Sequence, residues 1–139
     1  YRTELLSFLK STYGPRFKWV GGGSSNGVFY GRHLNEFVAT IEVMVGDSVY
    51  SPYYWSNRVY EMIGRGAFLV MPDIPGLKEE FPDLVTYKFG DFSNLEEIIG
   101  YYLDHKSERE ENKIVNFEYC KAHYTYKDRV KTILEHATK

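Results

Sequence analysis

One cysteine, Cys120, leaves no partner for an internal disulfide. A lone thiol agrees with a reducing compartment, so a cytoplasmic location is expected. No apolar run approaches the roughly 18 residues that a membrane span requires. There is no initiator methionine and no basic-then-apolar leader, so the chain is read as a soluble piece of a longer protein. An excess of one charge is also missing: 17 Lys and Arg stand against 19 Asp and Glu, for a net charge of −2. Without clustered cations to neutralise phosphates, nucleic acid is not an expected partner. The four histidines (His33, His105, His123, His136) fall into no H-x-x-x-H or H-E-x-x-H spacing, and Asp-x-Asp is absent. Neither a metal centre nor a resident cofactor is expected.

Two familiar glycine motifs fail as well. Placing G-x-G-x-x-G on Gly21 and Gly23 puts Asn26 where the last glycine belongs, and no Lys-Ser/Thr pair follows to make a P-loop. Placing G-x-S-x-G on Gly22 and Ser24 meets the same Asn26, so an esterase elbow is unsupported.

What is present is ordinary in amount and patterned in order. The chain has 139 residues, 43% apolar and 26% charged, which suits one soluble domain over residues 1–139 with a single core. Aromatics are rich, with 13 Tyr and 9 Phe, enough to line a binding face or to pack the rim of the core. Leu5, Leu6 and Leu9 recur at helical spacing until Gly14-Pro15. Phe17 to Val20 reads as a strand that feeds the loop Gly21 to Gly27. Leu34, Phe37, Val38 and Ile41 mark a second helix, and Glu42 to Val45 a strand. Val59, Met62 and Ile63 mark a third helix that Gly64 and Gly66 end. Ala67 to Met71 is a continuous apolar run suited to a buried parallel strand, closed by Pro72. A short helix at Leu77 to Phe81 and a strand at Leu84 to Tyr87 follow. Ser93 and Glu96 have capping-box spacing ahead of the stripe Leu95, Ile98, Ile99, Tyr102, Leu103. From Ser107 the charged, periodic sequence predicts two closing helices.

Strands alternating with helices in short units predict an α/β domain: a doubly wound parallel sheet, Rossmann-like, with closing C-terminal helices. Ligands of such folds bind at the carboxyl ends of the strands, so the loops at 21–27, 46–56 and 72–76 share the functional edge.

The informative stretch runs from Ser51 to Gly66. Ser56 is placed to cap the third helix and to leave free N–H groups at its positive end, where phosphate is held. Asn57 adds a hydrogen-bond donor and Arg58 a fixed charge, so a diphosphate can sit there without a metal ion. Glu61, one turn deeper, can accept both hydroxyl protons of a ribose. On spacing alone, Arg58 and Glu61 can equally be a solvated ion pair on a capped helix.

Arg58-x-x-Glu61-x-x-Gly64-x-Gly66, then Phe68-Leu69-Val70, Pro75-Gly76-Leu77-x-Glu79, Tyr101-Tyr102-Leu103 and His123-x-Thr125-Tyr126-x-x-Arg129, together resemble the carboxyl-terminal domain of the CgeB-like (spore-maturation protein) glycosyltransferases. More broadly, Glu61-x-x-x-x-Gly66 is similar to the ribose-contacting helix in the donor half of GT-B glycosyltransferases. The resemblance implies a nucleoside-diphosphate sugar as donor substrate, hexosyl transfer to an unknown acceptor, and an amino-terminal domain of the same protein that supplies the rest of the site. It implies that this domain alone is inactive. It gives Arg58 and Glu61 catalytic roles, on the diphosphate and the nucleoside. It places Gly22, Gly23, Ser24, Tyr53, Ser56, Asn57, Asp73 and Gly76 around the donor, with Asp73, Pro75, Gly76 and Glu79 in the loop that approaches the sugar. His123, Tyr126 and Arg129 are read as tying down the last helix. One departure stands out: Tyr53 occupies the position of the first glutamate of the retaining Glu-x7-Glu signature. That leaves the stereochemical course open and keeps a non-catalytic nucleotide-recognition or scaffold module as the alternative.

Overall fold

A computed structural model describes residues 2–19, 27 and 29–137, so the glycine loop around Gly22, Gly23 and Ser24 lies outside the described residues. The elements run α1 (Arg2–Tyr13), a 3-10 turn (Gly14–Arg16), α2 (Gly31–Thr40), β1 (Met44–Val45), α3 (Arg58–Gly64), β2 (Leu69–Pro72), α4 (Leu77–Glu80), β3 (Val85–Tyr87), α5 (Phe92–Asp104), α6 (Lys106–His123) and α7 (Tyr126–Ala137). The strands form a parallel sheet in the order β1-β2-β3. Met44 pairs with Leu69 and Val45 with Val70; Val70, Met71 and Pro72 then pair with Val85, Thr86 and Tyr87.

The centre of the sheet explains the apolar run. Every residue of β2 is buried, because successive side chains point to opposite faces and both faces are covered. Leu69 and Met71 face Val59 and Ile63 of α3, Leu77 of α4 and Cys120 of α6. Phe68 and Val70 face Leu5 and Leu9 of α1 and Leu95 and Ile99 of α5. Helices on both faces of a parallel sheet are the doubly wound arrangement that the alternation of elements predicts. Each of these fully buried side chains contributes on the order of 1.5–3 kcal/mol of transfer free energy.

Three local expectations are corrected. Phe17 to Trp19 are not in a strand, although Phe17 is extended at φ −85°, ψ 126°. Phe17 and Lys18 line, with Val43, Met44 and Val45 among others, a cavity of about 510 Å³. Ile41 follows α2 instead of belonging to it. The helix α5 is capped by Asp91, which accepts the Asn94 N–H at 3.0 Å, and not by Ser93. Both residues have the required spacing; Gly90, at φ +78°, turns the chain so that the helix opens one residue after Asp91. The two closing helices expected from Ser107 onward do form, as α6 and α7, with Val130, Ile133 and Leu134 exposed on α7.

The two glycines expected to end α3 do so by a defined motif. Gly66, at φ +83°, donates to Ile63 O, and Ala67 donates to Met62 O. This is the paired bonding of a left-handed helix terminus, which favours glycine at position 66.

Candidate functional site

All three strands point the same way, so the segments 46–57, 73–76 and 88–91 leave the sheet at one edge. The first delivers α3. Val59 and Ile63 are 1% exposed and anchor this helix against β2 and α6, which turns Arg58 and Glu61 outward. Ser56, Asn57, Arg58 and Glu61 are all exposed, as a ligand-binding helix start requires. Among the described residues neither Arg58 nor Glu61 has an ion-pair partner, so the alternative of a surface pair between them is not realised.

The capping differs in detail from the expectation. The helix opens at Arg58 with Asn57 before it, and Ser56 closes the start from one residue further out. Its hydroxyl accepts the Arg58 N–H at 3.2 Å, and its carbonyl accepts the Val59 N–H at 3.2 Å. Two N–H groups that the sequence leaves open to a phosphate are therefore already bonded.

The loop ahead of α3 is fixed at both ends of the Tyr53–Trp55 segment. Trp55 donates its indole N–H to the Tyr60 hydroxyl at 3.1 Å, and Tyr60 donates to Glu80 at 3.2 Å. Tyr53 has φ +57°, the only non-glycine in the left-handed region among the described residues. Its N–H donates to Pro75 O at 2.8 Å. Its hydroxyl donates to both carboxylate oxygens of Glu79, at 3.3 and 3.2 Å. That hydrogen bond, reinforced by the carboxylate's charge, raises the Tyr53 phenol above its ordinary value. The ring lies against Gly76, where any Cβ would collide with the Tyr53 Cδ1 and Cε1 atoms. Gly76 itself sits at φ +95°. The open face expected to let a ligand approach Gly76 is thus filled by Tyr53, and the structure brings these two predicted site residues into direct contact.

Asp73 stands apart from that pair. It borders an open cavity of about 560 Å³ whose lining includes Tyr50, Lys88 and Phe89. Tyr50 and Phe89 meet there with ring centroids 5.1 Å apart. Lys88 and Phe89 belong to the loop after β3, which the sequence reading left out of the functional edge. The signal was available: Lys88-Phe89-Gly90-Asp91 is the turn directly after the strand predicted at Leu84–Tyr87. Among the described residues, no three His, Cys, Asp or Glu side chains come together as a metal-ligand group.

Near the carboxyl terminus, Arg129 does anchor α7: its guanidinium lies 4.8 Å from the Tyr60 ring centroid and 5.5 Å from that of Tyr124. His123 stacks on Tyr119 at 4.3 Å and stays exposed. Tyr126 is 85% exposed and ties down nothing that the described residues show.

A parallel sheet covered on both faces by helices defines a Rossmann-like α/β domain. Residues 2–135 match the family described as glycosyl transferase-like, and the chain belongs to that family. Neither the curated proteins nor the solved structures compared contain a match to this chain. No helix among the described residues is long and apolar enough to cross a membrane.

Proposed function

We propose that this domain is the donor half of a GT-B, CgeB-like glycosyltransferase that binds a nucleoside-diphosphate sugar in the cytoplasm and transfers its hexosyl group. The observation that carries the reading is the outward display of Arg58 and Glu61, unpaired among the described residues, on one short helix at the strand edge, in a chain of a glycosyltransferase family. Arg58, with Asn57 and Ser56, neutralises the diphosphate as it departs with the electron pair of the bond to the sugar C1. Glu61 accepts the ribose hydroxyls and fixes the nucleoside. The acceptor oxygen bonds to C1, and its proton passes to a base on an amino-terminal domain whose closure completes the site. With a guanidinium in this role, the transfer needs no divalent ion.

The test uses the full-length protein that contains this chain. Thermal shift with UDP-, GDP-, ADP- and TDP-sugars should reveal one stabilising donor, since a ligand of the folded state alone raises apparent stability. Arg58→Ala and Glu61→Ala should each weaken that donor by about tenfold to a hundredfold, as loss of a charged hydrogen-bonding partner does. Both residues are exposed, so the melting temperature without ligand should stay unchanged. A scaffold with the same fold would bind nucleotide and release no sugar. If no nucleoside diphosphate binds, or if neither substitution alters binding, the proposal is wrong.

A further inference from the structure

The last helix stands almost clear of the body. No residue of α7 is buried, and all but Asp128 are exposed. It is held at its start, where Arg129 lies 4.8 and 5.5 Å from the Tyr60 and Tyr124 ring centroids and Asp128 closes the cap with Thr125. A helix of 12 residues is marginal in water without a surface to pack on, because ordering so short a backbone consumes most of what its own hydrogen bonds supply. Yet Tyr126, Val130, Ile133 and Leu134, spaced to share one face, are 85, 54, 65 and 58% exposed.

At about 3.6 residues per turn, the charged residues of α7 sort around that stripe. Lys127 and Lys131 stand on one shoulder of it and Arg129 and His136 on the other, while both acids, Asp128 and Glu135, lie on the opposite side of the helix. Among the described residues neither lysine has an ion-pair partner. The complement of this arrangement is an apolar surface edged with negative charge. A second copy does not supply it: two α7 helices laid stripe to stripe set cations against cations, with the acids of both turned away. The stripe also holds no Trp, Phe or Met of the kind that anchors a helix in a protein groove. Aliphatic side chains with one tyrosine, flanked by lysines whose long stems reach outward, suit the boundary between acyl chains and anionic head groups.

We propose that α7 is a surface anchor that lies on an anionic lipid bilayer, with Tyr126, Val130, Ile133 and Leu134 among the head groups and upper acyl chains and Lys127 and Lys131 against the lipid phosphates. The chain as a whole carries a net charge of −2, so the attraction is local to this helix and sensitive to salt. One short amphipathic helix binds reversibly and docks the body without crossing the bilayer. The inference stands on α7 alone and is independent of the sugar-donor reading.

The experiment is co-sedimentation of the full-length protein with vesicles of phosphatidylcholine alone and of equal parts phosphatidylcholine and phosphatidylglycerol. Binding is expected to the anionic vesicles only, and it should fall as salt is raised. Lys127→Gln with Lys131→Gln leaves the stripe intact and should weaken binding by about fivefold for each lysine. Ile133→Asp should weaken it by about tenfold or more. On the anionic vesicles, hydrogen exchange of the α7 amides should slow, since the bilayer supplies the packing that the helix lacks. These positions are exposed, so the melting temperature without vesicles should not move. Equal binding to neutral vesicles, or no binding to either kind, would overturn the proposal. So would Ile133→Asp abolishing a concentration-dependent dimer seen by light scattering, which assigns the stripe to a second copy, or lowering the vesicle-free melting temperature, which assigns it to packing within the longer chain. The double lysine variant, made of good helix formers, keeps the charge test separate from any loss of helix.

Discussion

Gly76 and Tyr53 show how tightly two residues at a strand edge can depend on each other. Gly76 needs its φ of +95°, and its missing side chain is the space that the Tyr53 ring fills. Alanine at 76 therefore meets two penalties, a left-handed backbone and a collision. Gly76→Ala should lose about 1–3 kcal/mol of unfolding free energy by urea titration. Tyr53→Ala removes the obstacle, so in the double variant the collision part should be recovered and the backbone part should remain. A strictly additive double variant would show that the ring and the glycine are independent. Arg58 and Glu61 differ in kind: they are exposed, they pair with nothing described, and they cost the fold nothing to replace. Residues of that sort are visible to function and silent in stability.

At the scale of elements, the ends of helices matter as much as their faces. The helix α7 opens with a reciprocal cap in which Thr125 donates its N–H and hydroxyl to Asp128 and its hydroxyl oxygen accepts the Asp128 N–H, at 3.1, 2.8 and 3.2 Å. The Thr125 hydroxyl, followed by its backbone N–H, holds the Asp128 carboxyl below its ordinary value. A depressed folded-state value means that the cap stabilises at pH above the ordinary carboxyl range and fails as pH falls through the lowered value. Because Val130, Ile133 and Leu134 are exposed, little packing masks such fraying. Acidification below about pH 4 should therefore loosen the first turn of α7 before the core responds, seen as backbone carbon chemical shifts of 126–129 moving toward coil values. In Asp128→Asn that acid-dependent movement should be absent. Chemical shifts of 126–129 that stay unchanged on acidification would contradict the assignment.

Over the whole molecule, the carboxyl-terminal helices clamp the sheet from the α3 face. Val59 and Ile63 pack with Cys120 of α6, Tyr124 donates to Glu80 O at 2.7 Å, and Arg129 covers Tyr60 and Tyr124. Burial, followed by hydrogen bonding with Tyr119 and the charge of Glu80, raises the Tyr124 phenol well above its ordinary value. A raised folded-state phenol contributes fully below the ordinary value near pH 10 and is lost as pH climbs through the folded one. The urea midpoint should accordingly fall as pH rises above about 10, and Tyr124→Phe should flatten that fall by up to about one proton's worth of slope. An unchanged slope would assign alkaline sensitivity elsewhere. The same clamp sets the backs of α3 and α4, so the Arg58–Glu61 helix and Glu79 are held by parts of the chain more than 40 residues away.

Much of this architecture could be read along the chain. The buried run ending at Pro72, the stripes of α1, α3 and α5 and the two closing helices all follow from periodicity and glycine placement, because those patterns depend on which side chains must leave water. The local choices between equivalent signals could not be read. Asp91 and Ser93 are equally good caps until the turn at Gly90 fixes the helix start, and the extended Phe17 carries no mark of whether it will join a ladder. The site divides in the same manner. Spacing alone leaves Arg58 and Glu61 as either a surface ion pair or a ligand-facing pair, and the structure shows no pair between them. The meeting of Tyr53 with Gly76 and Glu79, and of Tyr50 with Phe89, joins loops from different strands. Their proximity exists only once parallel pairing brings three strand ends to one edge, which is a fact of tertiary structure and not of any local sequence.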